Sequence, residues 1–198
     1  MKCDIVLAGV GGQGILSIAT VLGLAAVENN LYLKQAETHG MSQRGGAVQS
    51  YLRLSDRPIF SDLIPMGEAQ LILSVEPLES LRYLNYLSEE GYVITSTTPF
   101  INIPDYPDTD EVLKTIRDLP RVVAIDAESM AKYEGNAKSS NMVMLGAASP
   151  FIELPLNSLE LAIREIFAKK GEDIVAVNLR AFHAGRAFSE QSLNRLKQ

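Results

Sequence analysis

The sequence predicts an α/β protein: a Rossmann-like three-layer sandwich with a mainly parallel sheet of roughly five or six strands and a C-terminal helical pair. Three observations predict it. Short apolar runs alternate with helical patterns, the layout of a parallel sheet with crossover helices. The first run leads into a glycine-rich turn and then an apolar helix, which makes one βαβ unit of about 30 residues. Beyond about residue 155 the strand pattern stops and only helical spacing remains. One domain over 1–198 is expected, with a core of about 1–155 and a helical tail of about 156–198.

Each element follows from local chemistry. Residues 3–8 are a short apolar run, typical of a buried parallel strand. Residues 15–29 form a helix that is apolar almost all round, and Ala19, Gly23 and Ala26 let it lie close to a sheet. Residues 31–36 are a second strand, and 37–46 are expected to be a polar loop. In the strand at 47–54, Val48, Leu52 and Leu54 face one side with Ser50 as a polar exception. Gln49, Tyr51 and Arg53 face the other. Ser55, Asp56, Arg57 and Pro58 make a turn. A strand at 71–75 precedes Pro77, which suits the first position of a helix. Leu78, Leu81, Leu84 and Leu87 extend that helix at threefold spacing until Gly91, and 92–95 is the next strand. A proline-rich loop covers 99–107, a helix 110–118, a strand 121–126 and a helix 127–134. A short helix at 141–148 stops at Pro150. Ser158 is expected to cap a helix reaching Lys170, Gly171 to close it, and 174–189 to form the last helix.

Composition excludes several classes. The net charge of -6 gives no electrostatic reason for nucleic-acid binding. The only cysteine, Cys3, cannot form an internal disulfide or hold an iron–sulfur cluster, which fits a reducing cytoplasm. No signal-peptide layout opens the chain, and no run of apolar residues predicts a membrane span. No metal-ligand spacing and no Ser-His-Asp signature is present, so no catalytic residue and no metal ligand is assigned.

Gly9, Gly11 and Gly14 have the G-x-G-x-x-G spacing between a strand and a helix, with Gly12 and Gln13 inside the turn. Glycines permit the tight turn, and the N–H groups at a helix start attract an anion. The same glycines also serve simply to pack the helix on the sheet, and both readings stay open. The turn lacks the Gly-Lys-Ser/Thr ending of a P-loop. Glu37 stands where a ribose-binding acid of a dinucleotide fold would sit.

The segment Glu37, Thr38, His39, Gly40, Met41, Ser42, Gln43, Arg44, Gly45, Gly46 gathers many functional side chains near the carboxyl end of its strand. Arg44 is a forked donor suited to carboxylate or phosphate. His39 alone reads better as a surface histidine, but the segment as a whole points to contact with a ligand or partner. The anion hypothesis joins the Gly11–Gly14 N–H groups to Arg44; its rival pairs Arg44 with Glu37. His183 lies on a solvated helix face beside Arg180 and Arg186, Cys3 is a buried small residue, and Asp126 and Glu128 cap or charge a helix start.

These residues carry a resemblance. The run Gly9 to Ile15 and the run Glu37 to Val48 resemble the gamma-type domain of 2-oxoacid:ferredoxin oxidoreductases. Ser61-Asp62-Leu63-Ile64-Pro65, Glu76-Pro77-Leu78-Glu79 and Asn141 to Ala147 extend the match to about Ser149. The His39-Gly40-Met41-Ser42-Gln43-Arg44 form is similar to indolepyruvate oxidoreductase beta subunits. The resemblance implies a small subunit, inactive alone, with no cofactor of its own. Its large alpha subunit would carry thiamine diphosphate with magnesium and 4Fe-4S clusters. The complex would convert an aryl pyruvate and coenzyme A to an acyl-CoA, carbon dioxide and reduced ferredoxin, with coenzyme A as a shared ligand. No Gly-Asp-Gly…Asn-Asn thiamine motif occurs here. The isolated chain is expected to self-associate through its bare partner surface. Two other readings compete: an NAD(P)-binding Rossmann oxidoreductase, and a scaffold subunit that touches no ligand.

Overall fold

A computed structural model describes residues 1–39, 45–101 and 103–196. Among these, six strands form one sheet: β1 (Lys2–Val10), β2 (Tyr32–His39), β3 (Ala47–Ser55), β4 (Ala69–Ser74), β5 (Leu87–Ser96) and β6 (Val122–Ile125). Their order is β2-β3-β1-β4-β5-β6. The β1–β4, β4–β5 and β5–β6 pairs are parallel, whereas β3 runs antiparallel to both β1 and β2. The helices are α1 (Ile15–Glu28), α2 (Pro77–Arg82), α3 (Thr109–Arg117), α4 (Ala127–Tyr133), α5 (Ser140–Ala148), α6 (Leu156–Phe167) and α7 (Glu172–Leu196). The expected Rossmann-like sandwich is present, with one refinement. The first βαβ unit does not place β2 beside β1, because β3 inserts between them.

The two sheet faces carry unequal layers. The main core lies under α1, α4, α5, α6 and α7 and contains Ile5, Leu7, Leu22, Leu52, Leu73, Ile94 and Phe182. Full burial of such side chains contributes roughly 1.5–3 kcal/mol each before entropy is counted. The second face is thinner. Val6, Tyr51, Ile64, Ile72 and Val93 pack there with Tyr83, Tyr86 and Leu119. Tyr51 faces this side and Val48, Leu52 and Leu54 the other, as the alternation in β3 requires.

Several sequence expectations need correction. Strand β2 runs to His39, so Glu37, Thr38 and His39 are strand rather than loop, paired with Ser50, Gln49 and Val48. The strand lies at the sheet edge, where water reaches both faces, and its polar residues hide the alternation. The leucine series after Pro77 is not one helix: α2 ends at Arg82, a 3-10 turn covers Leu84–Tyr86, and Leu87 opens β5. A 3-10 turn also repeats every three residues, so it mimics the helical spacing. Gly91 does not stop a helix. It lies inside β5, where a Cβ would come 2.8 Å from the Ala69 carbonyl oxygen. Ser158 is not a cap. Helix α6 starts just after Pro155, and Ser158 Oγ accepts from Asn29 Nδ2 at 2.9 Å, fastening α6 to the end of α1. The last helix is longer than expected, from Glu172 to Leu196.

The tail is bolted to the core by two glycines. A Cβ on Gly146 of α5 would lie 1.8 Å from the Phe182 carbonyl oxygen, and one on Gly185 of α7 would lie 1.9 Å from that of Val143. The two backbones therefore touch, which small residues alone permit.

Candidate functional site at the carboxyl edge of the sheet

Open α/β sheets bind ligands beyond the carboxyl ends of their parallel strands. Here that edge gathers the Gly9–Gly14 turn after β1, Glu76 after β4, residues 97–101 and 103–107 after β5, and Asp126 after β6. The start of α5 joins them from the helical side through Asn141.

The glycine turn is built by its own side chains. Gln13 Oε1 accepts from the Val10 N–H at 2.8 Å, and Gln13 Nε2 donates to the Val75 carbonyl at 3.3 Å. Gln13 thus staples β1 to the end of β4. Gly9 is required by space, since a Cβ there would meet Val75 Cγ2 at 2.3 Å. Gly14 is required twice: its φ is 82°, and a Cβ would lie 2.5 Å from Asn141 Nδ2. Asn141 Nδ2 donates to the Gly14 carbonyl at 3.2 Å. Gly11 exchanges backbone contacts with the other expected segment. Its N–H donates to the Gly46 carbonyl at 2.9 Å, and the Gly45 N–H donates to its carbonyl at 3.4 Å.

The structure therefore joins Gly9, Gly11, Gly12, Gln13 and Gly14 to Gly45 and Gly46. Glu37 and Thr38 stand further back in β2. Gly40, Met41, Ser42, Gln43 and Arg44 lie outside the described residues, as does the side chain of His39, so the proposed meeting of Arg44 with the glycine turn lies outside them too.

Two cavities open on this edge. One, of 110 Å³, lies on the main-core side among Gln13, Ser96, Thr98, Phe100, Glu128 and Ser140. Neither α1 nor α5 has a side-chain cap at its start. Helix starts carry partial positive charge, and the hydroxyls of Ser96, Thr98 and Ser140 add polar partners beside them. The second cavity, of 150 Å³, lies across the sheet among Gly45, Gly46, Glu76, Glu79, Phe100 and Tyr106.

Glu76 organises that second side. It is 1% exposed and caps α2 by accepting from the Glu79 N–H at 2.8 Å. Its other oxygen accepts from the Tyr106 hydroxyl at 2.5 Å and the Phe100 N–H at 3.3 Å. Burial and this bond push the Tyr106 phenol well above its ordinary range. Glu79 pairs with Arg82 at 2.9 Å. Burial raises the Glu79 carboxyl, Arg82 opposes the rise, and the charge of Glu76 adds to it. Sequence reasoning reached Glu76, Glu79 and Asn141 only through the resemblance and gave these three no role of their own. The legible signal was the acid before Pro77, a helix-cap pattern.

The remaining candidates have structural roles. Asp126 accepts from the Ser129 N–H at 2.9 Å and caps α4. His183 Nε2 lies 3.2 Å from Glu160 on the outer face of α7. Cys3 is buried, and burial pushes its thiol up to about 12, which makes it a poor nucleophile.

An open α/β sheet with a glycine turn and a cavity at its carboxyl edge defines a domain of the Rossmann-like class. Comparison with known proteins narrows this. The family model for pyruvate ferredoxin/flavodoxin oxidoreductase matches residues 4–188, and the chain belongs to that family. The expected enzyme class, oxidoreductase, is that of its family. The chain is 37% identical to the indolepyruvate oxidoreductase subunit IorB of Thermococcus kodakarensis, covering 96% of this chain and 97% of that one. It is 38% identical to IorB of Methanothermobacter thermautotrophicus, covering 97% and 100%. Among solved structures, the 2-oxoglutarate:ferredoxin oxidoreductase of Magnetococcus marinus matches with a TM-score of 0.76 at 24% identity, over 96% of this chain but 31% of that one. Pyruvate oxidoreductase subunit PORC of Thermotoga maritima matches with a TM-score of 0.70 at 22% identity, over 94% and 96%. At such identities the structural matches establish the fold.

Proposed function

We propose that this chain is the small subunit of an indolepyruvate-type 2-oxoacid:ferredoxin oxidoreductase, working in the cytoplasm. The observation that carries this reading is the 36–38% identity to IorB proteins over nearly the whole chain. In the overall reaction an aryl pyruvate loses carbon dioxide and its acyl carbon forms a thioester with coenzyme A. Two electrons pass to ferredoxin and a proton is released. A single cysteine and the lack of a thiamine motif do not suit this chain to hold thiamine diphosphate or a 4Fe-4S cluster. Those groups belong to a larger alpha subunit, which binds ferredoxin through the complex.

This chain contributes the coenzyme A edge. With the Gly11 N–H given to Gly46 and the Gln13 N–H to Val10, the Gly12 and Gly14 N–H groups of the turn, Arg44 and the uncapped start of α5 are the donors for a phosphate, and Ser96, Thr98 and Ser140 offer hydroxyls in the adjoining cavity. The Magnetococcus relative, solved with coenzyme A and succinyl-CoA bound, shares the fold. A second reading, pure scaffold, is favoured by one observation: both amide atoms of Gln13 are committed to backbone.

The test has three arms. The chain alone is expected to give no indolepyruvate-dependent reduction of a viologen dye, and the complex with its larger subunit to give it; activity of the chain alone would overturn the reading. Arg44→Ala in the complex is expected to raise the KM for coenzyme A with assembly intact; an unchanged KM favours the scaffold. A thermal shift of the isolated chain by NAD(P)H but not by coenzyme A would assign it instead to a dinucleotide-dependent enzyme.

A further inference from the structure

A proline-rich strap, residues 99–101 and 103–107, crosses the carboxyl edge between the two cavities. Phe100 lines both, and Ile103 and Tyr106 line the second. Glu76 ties the strap down at Phe100 and again at Tyr106. Between these anchors the strap turns apolar side chains to water: Phe100 is 41% exposed, Ile101 66% and Ile103 42%. Among the described residues one other group of this kind occurs, Phe60, Leu63 and Met66, after β3. That group lies at the opposite end of the sheet, since Ser55 pairs with Lys2 at the start of β1. The remaining large exposed apolar side chains stand apart from one another in the sequence.

We propose that the strap is the seat of the larger, cofactor-bearing subunit, through Phe100, Ile101 and Ile103. The inference rests on the reading given under Proposed function. Coenzyme held at this edge must reach redox groups that one cysteine cannot supply. The polypeptide that carries those groups therefore closes over the same edge, and the strap is continuous with it. Three apolar side chains near one another in the sequence, on a strap tied down at the Phe100 N–H and the Tyr106 hydroxyl, lower the entropy lost on association. They fit an apolar groove, and Asp105, the strap's only charged residue, calls for a basic side chain at its rim. The group at Phe60 lacks this continuity with the ligand edge.

The experiment compares two double variants, each mixed with the unaltered larger subunit. Ile101→Ser with Ile103→Ser is expected to weaken assembly about a hundredfold, the size of a modest interface hot spot. Phe60→Ser with Met66→Ser is expected to leave it unchanged. Both pairs are surface changes, and circular dichroism and melting verify the fold. Tyr106→Phe removes an anchor without changing the apolar surface and is expected to slow association several-fold. Unchanged assembly of the strap variant, or loss of assembly in the Phe60 variant alone, overturns the proposal. So does a strap variant that assembles normally but no longer self-associates, which would assign the strap to a second copy. Failure of the unaltered chain to bind any larger subunit refutes the functional reading itself, a result distinct from failure of the strap variant alone.

Discussion

Asn141 donates through its side-chain nitrogen to the Gly14 carbonyl at 3.2 Å, and that same nitrogen occupies the space a Cβ at position 14 would need. One contact thus joins the glycine turn after β1 to the start of α5, two segments 127 residues apart. Gly14→Ala is expected to lower stability by about 1–3 kcal/mol, from a left-handed φ and from this clash. Adding Asn141→Ala should relieve the clash but not the backbone strain. Urea unfolding of the two singles and the double measures the coupling; strict additivity would show that the two residues do not press on each other.

Asp4 and Arg53 are direct cross-strand partners joined by two hydrogen bonds, at 2.8 and 2.9 Å. The Asp4 side chain is 2% exposed. Arg53 also donates to the carbonyls of Ser61 and Leu63, so it holds the Phe60 loop in place. Asp4→Ala would leave a largely buried guanidinium without its carboxylate and is expected to cost about 3–5 kcal/mol. Hydrogen exchange should show faster exchange of backbone amides around Leu63. Normal protection there would separate the loop from the ion pair.

The contact between α5 and α7 leaves no room for a methyl group. Gly185→Ala is expected to lower stability by at least about 1–3 kcal/mol, because α7 must lift off Val143. The cost should appear in the melting temperature. A Tm within a degree of the parent would mean that the helices slide apart freely.

Asp126 is held below its ordinary range, first by the Ser129 N–H at the start of α4. A carboxyl lowered on folding stabilises the native state above its unfolded value and loses that contribution as pH falls through the folded value. The advantage of the parent over Asp126→Asn should therefore be present at neutral pH and be lost as pH falls below the ordinary 3.8 and through the lowered folded value. Denaturant titrations across this window check the sign. An advantage that grows on acidification would contradict the cap.

Cys3 lies in β1 with its thiol pushed up to about 12, chiefly by burial and then by Asp4 and Glu153. Thiol reagents at neutral pH are expected to label it only as fast as the chain opens. Labelling at the rate of a free thiol in the folded protein would show that β1 is accessible.

Local sequence by itself determined much of this protein. Apolar runs with the right lengths marked the strands, Pro77 and Gly171 marked helix boundaries, and the alternation in β3 told which side chains face the core. The glycine turn was legible because its spacing is a local pattern, although distant side chains, Val75 at Gly9 and Asn141 at Gly14, also require it. Only the tertiary structure decided the rest. Glu37, Thr38 and His39 read as loop because an edge strand pairs through its backbone, which leaves little pattern in its side chains. The leucines after Pro77 read as one helix because a 3-10 turn shares the threefold period. Gln13 read as part of the candidate anion turn and Asn141 as the start of a family motif, and their structural roles stayed hidden, since their partners, Val75 and Gly14, lie 62 and 127 positions away. A strand end, a helix start and a strap become one site only when the sheet brings their ends to the same edge. That juxtaposition is a product of strand order, which periodicity along the chain does not encode.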